Sequence, residues 1–291
     1  MDDIAIVRGF NRTATQRAGL LDDGYLARGR SLAHARVLFE IDNGATEVRR
    51  LRELLDLDSG YLTRLLQALE REGLIAIDED RADRRVRRAT LTAAGRAERA
   101  EYERLSDEHA AGILGALDPG QRRSLVDAMA TVDRLLTASM VEFGVVDPAE
   151  PLAREATRRY LAELSERFEH GYDAAAAISA NDDEVRLPRG LTVVASLHGE
   201  PAALGLLKFH GDWAHLKRMW LSPSLRGIGL GRRLLQTLES HAADHGIRTV
   251  KLETNRALTE AIALYHRAGY REVAAFNDEP HGDHWFEKEL T

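Results

Sequence analysis

The chain has 291 residues, 44% of them apolar, which is material for two hydrophobic cores. It contains no cysteine, so disulfides, thiolate metal sites and a cysteine nucleophile are excluded. A formal net charge of −7 argues against nucleic-acid binding spread over the whole surface, though not against a local basic site.

The first predicted helix runs from Ile4 to Leu21. Thr46 is the expected N-cap of a second, through Leu55, with Val48, Leu51, Leu54 and Leu55 inward. A short turn, Asp56-Leu57-Asp58-Ser59, leads to a third helix ending at Gly73. There Leu62, Leu65, Leu66 and Leu69 fall at i, i+3, i+4 and i+7, which makes one buried face. Thr63, Arg64 and Gln67 lie on the other. Leu74 to Ile77 and Arg88 to Leu91 read as the strands of a hairpin. Between them residues 81–88 carry five arginines against one aspartate, a local charge of 5 − 1 = +4. Two helices joined by a short turn and followed by a basic hairpin form a pattern suited to DNA.

This half resembles the MarR family of winged-helix repressors. The resemblance is carried by Ser59-Gly60-Tyr61-Leu62-Thr63-Arg64, by Leu69-Glu70-Arg71-Glu72-Gly73-Leu74, and by Asp83-Arg84-Arg85 in the wing. It implies a DNA-binding set of Ser59, Tyr61, Thr63, Arg64, Gln67, Arg84, Arg85 and Arg87, acting on double-stranded DNA. It also implies a homodimer formed by the terminal helices. The second of these helices opens with Asp118-Pro119 as N-cap and N1 and ends near Val141. Its stripe of Leu125, Met129, Val132, Leu135 and Leu136 is core or interface. The acidic run Ile77-Asp78-Glu79-Asp80 predicts weak non-specific affinity for DNA.

Residues 145–151, Val-Val-Asp-Pro-Ala-Glu-Pro, read as a linker. Beyond it, a strand from Leu216 to Leu221 precedes the turn Arg226-Gly227-Ile228-Gly229-Leu230-Gly231. A helix begins near Gly229 with Leu230, Leu234, Leu235 and Leu238 at helical spacing. Three glycines at the start of a helix expose backbone N–H groups at its positive end, a cradle for a phosphate or pyrophosphate. The turn lacks the Gly-Lys-Ser/Thr ending of a P-loop. A strand, Thr249 to Asn255, and a helix, Leu258 to Ala268, follow, with Gly269 after the helix.

This order resembles the GNAT family of N-acetyltransferases, whose pyrophosphate motif matches Arg226, Gly229 and Gly231. The resemblance covers residues 150 to 291 and implies acetyl-coenzyme A as co-substrate, held by Met219, Trp220, Leu221, Arg226, Gly227, Ile228, Gly229, Leu230, Gly231, Arg232, Asn255 and Tyr265. The acceptor is an amine, expected to be a primary amine of a small molecule. Tyr265 is the candidate acid, because a hydrogen bond from its phenol stabilises the leaving thiolate as charge forms. The alternative for Tyr265 is a core residue on an amphipathic helix. His215, Glu253 or a water chain is the base; a histidine titrates near neutrality. His281, Asp283 and His284 have the chemistry of metal ligands, but their loop context predicts no metal site.

The expected architecture is a mostly α winged-helix domain over residues 1–145 with a small β-hairpin wing, then an α/β (α+β) domain over residues 150–291 with a central mixed, mostly antiparallel sheet. Met1-Asp2-Asp3 begins no secretory segment and no apolar run is long enough for a membrane span, so a cytoplasmic protein without a membrane is expected. The alternative function is a repressor whose acetyltransferase-like domain only senses ligand.

Overall fold

The computed structural model describes residues 2–19, 24–44, 46–79, 86–169, 171–173, 176–178 and 180–290. The chain divides into two compact units, Met1–Val126 and Asp127–Thr291.

The first unit begins with α1 (Asp3–Arg17), whose Asp2 carboxylate caps the Ile4 N–H at 3.1 Å. The helix ends four residues before the predicted stop; Leu20 and Leu21 lie outside the described residues. Ile4, Ile6, Val7 and Phe10 on α1 are exposed. Next comes α2 (Leu32–Asp42), which buries Ala35, Val37, Leu38 and Ile41 and which the sequence reading passed over. Then follow α3 (Val48–Leu55) and α4 (Ser59–Arg71), separated by Asp56 in the left-handed region at φ +49°. Thr46 is not the cap of α3. That position belongs to Glu47, without a side-chain hydrogen bond. Thr46 is instead drawn into the hairpin, its carbonyl accepting from Ala89 N–H at 2.7 Å. The cap of α4 is Asp58, which accepts from Tyr61 N–H at 2.9 Å.

The hairpin pairs β1 (Ile75–Glu79) with β2 (Arg87–Leu91) antiparallel, from Ile75 opposite Leu91 to Glu79 opposite Arg87. Leu38, Leu51, Leu62, Leu66, Leu69 and Ala89 form the core under it. Strand β2 runs into α5 (Ala93–Gly115), capped by Thr92. A Cβ at Gly95 would sit 1.9 Å from the Leu74 carbonyl oxygen, so only glycine lets α5 approach the hairpin this closely.

Helix α6 (Pro119–Ser139) opens as predicted, with Asp118 accepting from Gly120 and Gln121 N–H. Of its apolar stripe, Met129, Leu135 and Leu136 are exposed in the single chain. The predicted linker is not one. Val145 and Val146 end β3 (Glu142–Val146), which pairs along β4, so the second unit begins well before residue 150. An apolar, β-branched pair beside two prolines prefers the sheet edge to solvent.

The second unit continues with α7 (Pro151–Arg167), β4 (Gly190–Leu197), β5 (Glu200–His210), β6 (Trp213–Leu221), α8 (Leu230–Asp244), β7 (Thr249–Thr254), α9 (Thr259–Arg267), β8 (Arg271–Val273) and β9 (His284–Glu289). Among the described residues the sheet has the order β3-β4-β5-β6-β7-β9-β8. Every neighbouring pair is antiparallel except β6 and β7. This matches the expected mixed, mostly antiparallel sheet. On one face α8 buries Leu230, Leu234, Leu235 and Leu238 against Leu207, Leu216, Val250 and Phe286. On the other, Ala153 and Ala156 of α7 meet Val194, Leu204, Leu206 and Trp220. No helix among the described residues is long and apolar enough to cross a membrane.

Candidate active site

The site is made where β6 and β7 part. They pair over three residues only, Trp213 with Thr249, Ala214 with Val250 and His215 with Lys251. Beyond His215 the two parallel strands no longer bond to each other, and β6 from Leu216 to Leu221 borders open space. Two cavities occupy the opening, of about 340 and about 520 Å³. Tyr160, Leu164, Met219, Leu258, Ala261 and Tyr265 belong to the walls of both.

The larger cavity ends at the glycine turn. Gly227 and Gly229 hold φ of +77° and +84°, a backbone that side chains with a Cβ rarely adopt, and nothing lies within 4 Å of where a Cβ would sit on either. No side chain caps α8 at Gly229, and the first N–H of the helix to find a backbone partner is that of Arg233, on Gly229 O at 3.2 Å. Open space, bare N–H groups and the positive end of a 15-residue helix therefore coincide. Arg232 and Arg267, both exposed, line the same cavity. Arg226 is already engaged: its Nη2 donates to Glu163 at 2.6 Å and to Leu221 O at 3.0 Å. Arg167 bridges Glu163 and Glu260, and its hydrogen bond holds the Glu260 carboxyl down at about 2. These residues fit a pyrophosphate: donors converge and the cation–anion pairs leave two arginines over.

Trp220 and Leu221 line the larger cavity and Met219 both. Trp220 also donates from Nε1 to Glu163 at 3.0 Å. Gly231 lines it too, a Cβ there falling 3.2 Å from Leu264. Leu230 is buried in the core and Ile228 packs against it, so these two contribute backbone only. Asn255 lines the smaller cavity, where its amide braces the neighbouring loop by donating to His281 O at 3.0 Å and accepting from Ala257 N–H at 2.9 Å.

In the smaller cavity Glu253 is the centre of a polar cluster. Its carboxylate accepts from His215 Nε2 at 2.5 Å, Lys217 Nζ at 2.8 Å and Asn277 Nδ2 at 3.0 Å. Burial pushes this carboxyl up, but the His215 and Lys217 contacts outweigh it and hold it at about 2. Lys217 also donates to Glu279 at 2.9 Å. Glu253, Lys217 and Glu279 line the cavity; His215 does not, and stands buried behind Glu253 with Phe276 edge-on at 5.7 Å. Of the two candidate bases, Glu253 lines the cavity, and His215, which bonds to it, lies outside the lining. His281, Asp283 and His284 turn to separate partners, respectively Asp173 O, Arg256 and Glu272.

Tyr265 sits in the wall common to both cavities. Its ring packs 5.7 Å from Tyr270 and 5.7 Å from Phe286, and its Oη donates to Met219 Sδ at 3.7 Å. Burial, then the Glu253 charge, raises the phenol above its ordinary value. The ring belongs to the core, and the residue lies in the wall where the two cavities meet.

In the first unit, Ser59, Arg64 and Gln67 of α4 are exposed, and Thr63 is half-buried with its hydroxyl donating to Ser59 O at 2.7 Å. Tyr61 packs against the core, with the Arg64 guanidinium 5.7 Å from its ring. Arg87 is exposed and opposite Glu79. Arg84 and Arg85 lie outside the described residues.

Sequence reasoning missed Tyr160, Glu163 and Arg167 of α7, along with Lys217, Arg218 and Glu279. The α7 residues look like any Arg/Glu-rich helix face. Glu279 lies in the polar segment after β8, whose position near the substrate mouth was the only available signal.

Residues 154–270 match the profile of the Acetyltransferase (GNAT) family. The chain is 36% identical over 72 residues to a protein named IAA acetyltransferase from Azospirillum brasilense, covering 25% of this chain and 46% of that one. It spans less than two thirds of the length of the curated relatives it matches. Among solved structures it is similar to an acyl-CoA N-acyltransferase described as putative from Klebsiella pneumoniae, at 24% identity and TM-score 0.43, over 53% of this chain and 99% of that one. It is also similar to a probable transcriptional regulator from Pseudomonas aeruginosa, at 21% identity and TM-score 0.37, over 45% of this chain and 97% of that one. The C-terminal half carries a GNAT acetyltransferase domain.

Proposed function

We propose that the second unit transfers acetyl from acetyl-coenzyme A to a primary amine of a small molecule, and that the first is a winged-helix domain that binds double-stranded DNA as a homodimer. The observation that carries the enzymatic reading is the shared wall: a phosphate cradle and a carboxylate cluster face each other across Tyr265 and Met219.

Acetyl-coenzyme A supplies an activated acetyl carbonyl on sulfur. The N–H groups at the start of α8, with Arg232 and Arg267, hold its phosphates. The unpaired edge of β6 at Met219 and Leu221 holds the pantetheine arm. In the exchange one C–S bond breaks and one C–N bond forms; the amine gives up a proton and the sulfur gains one. Tyr265 holds its proton toward the sulfur. Glu253 holds the incoming ammonium, but it is a poor proton acceptor. The His215 and Lys217 contacts hold its carboxyl at about 2, far below an alkylammonium near ~10. The proton therefore leaves through water, with His215 fixing the carboxylate that orients that water. Mass spectrometry of a metabolite extract incubated with the protein and acetyl-coenzyme A tests the reading. An acetylated amine is expected; no acetylated product, with coenzyme A binding intact, rejects it in favour of a ligand sensor.

The DNA reading rests on the exposed face of α4 beside a hairpin rich in arginine. Arg64→Ala is expected to relax sequence choice, while Arg87→Ala weakens binding to every sequence and lowers the salt slope by about one unit. Because Glu79 stands opposite Arg87, the second effect is the smaller. Genomic-fragment selection followed by salt titration measures both. Recovery of no enriched site at low salt removes the DNA-binding assignment.

A further inference from the structure

We infer that the acceptor carries a carboxylate as well as an amine, and that Arg218 binds it, so that the molecule acetylated is an amino acid or a close aminocarboxylic relative. The inference rests on the acetyltransferase reading above and narrows its substrate.

The backbone provides the first argument. In a regular strand, neighbouring side chains point to opposite faces. Here Leu216, Lys217, Arg218 and Met219 all line the smaller cavity. The pairing of β5 with β6 shifts register between Leu204 and Leu206, and at the same place Arg218 takes a φ of +52°. A left-handed conformation is strained for a residue with a Cβ, and such strain persists where the surroundings require it, often at ligand sites. The bulge falls at Arg218 in the cavity wall, where its charge acts on Tyr160 and Tyr172 of the same wall.

Charge provides the second. The charged and titratable groups lining this cavity are Lys217, Arg218, Glu253, Glu279, His281, Tyr160, Tyr172 and Tyr265. Lys217 is consumed, lying 2.8 Å from Glu253 and 2.9 Å from Glu279. Arg218 makes no hydrogen bond or ion pair with any described residue. Of the residues outside the description, His170, Ala174, Ala175 and Ser179 have no carboxylate side chain. One guanidinium is therefore left over, half-buried, facing the same space as two carboxylates. An ammonium belongs against Glu253, and an anion belongs against Arg218, whose planar fork suits a carboxylate. A cavity of about 340 Å³ takes a molecule of amino-acid size.

The test uses the full chain and acetyl-coenzyme A with three acceptor sets: L-amino acids, their carboxamides, and their decarboxylated amines. The wild type is expected to prefer a carboxylate-bearing acceptor by about 10- to 100-fold in kcat/KM, the scale of a charge-assisted pair. Arg218→Asn keeps a residue that tolerates the left-handed backbone. It should erase the preference through KM, and Arg218→Lys should restore part of it. Equal use of decarboxylated amines by the wild type, or an Arg218→Asn variant with unaltered preference, overturns the inference and leaves the acetyltransferase reading intact. If no acceptor is turned over, the enzymatic reading fails first. Calorimetric titration of the coenzyme A-loaded protein with the amino acids then decides the subsite alone: binding lost in Arg218→Asn supports it, and no binding to the wild type rejects it.

Discussion

Tyr265→Phe is expected to lower kcat by about 100-fold while leaving the affinity for acetyl-coenzyme A near that of the wild type. The substitution keeps the ring, and with it the packing on Tyr270 and Phe286. It removes one hydroxyl, whose hydrogen bond gains value only as charge gathers on the leaving sulfur. The measurement is steady-state kinetics with thiol release, with a single-turnover experiment to confirm that chemistry is observed. The pH profile gives a second reading of the same residue. Burial and the Glu253 charge both raise the phenol, so Tyr265 stays protonated through pH 9, and the rate rises as the acceptor amine deprotonates. A falling limb in that range, absent from Tyr265→Phe, would show the phenol ionising and refute the raised value. An unchanged kcat in the variant would reduce Tyr265 to a packing residue.

Gly229→Asp is the second large effect, expected to weaken coenzyme A binding by at least about 100-fold. Gly229 is the N-cap of α8 at φ +84°. An aspartate adds about 1–2 kcal/mol of backbone strain there, yet acidic residues suit a helix N-terminus, so the fold should survive. The new carboxylate stands where the phosphates belong and repels them. Gly229→Asn separates the causes, because it has the same size and no charge, and should lose much less affinity. Calorimetry with coenzyme A measures all three proteins. Wild-type affinity in Gly229→Asp would mean that the phosphates bind elsewhere.

What was legible in the chain was local. The glycine turn and the leucine spacing of α8 specify a helix and its bare end within 15 residues. The spacing of Leu62, Leu65, Leu66 and Leu69 does the same for α4. What was not legible came from pairing at a distance. Glu163 reaches Arg226 from 63 residues away, and Lys217 meets Glu279 across 62. His215, Glu253 and a water chain stood as equal alternatives for the base because a strand start is all that sequence shows; the burial of His215 behind Glu253 depends on where β7 lies. The linker was misread because prolines punctuate a segment whether or not the valines beside them join a sheet. The Arg218 bulge has no glycine to announce it, so nothing in the strand's own sequence marks it.

The shared wall has a consequence for how such a protein changes over generations. Met219 and Tyr265 serve both halves of the opening, whereas Lys217, Arg218 and Glu279 serve one and the glycine turn serves the other. Donor and acceptor recognition are therefore separately heritable. Drift at 217, 218 and 279 can retarget the chemistry to a new metabolite without disturbing the donor, and a lineage can keep one cofactor while exploring many acceptors.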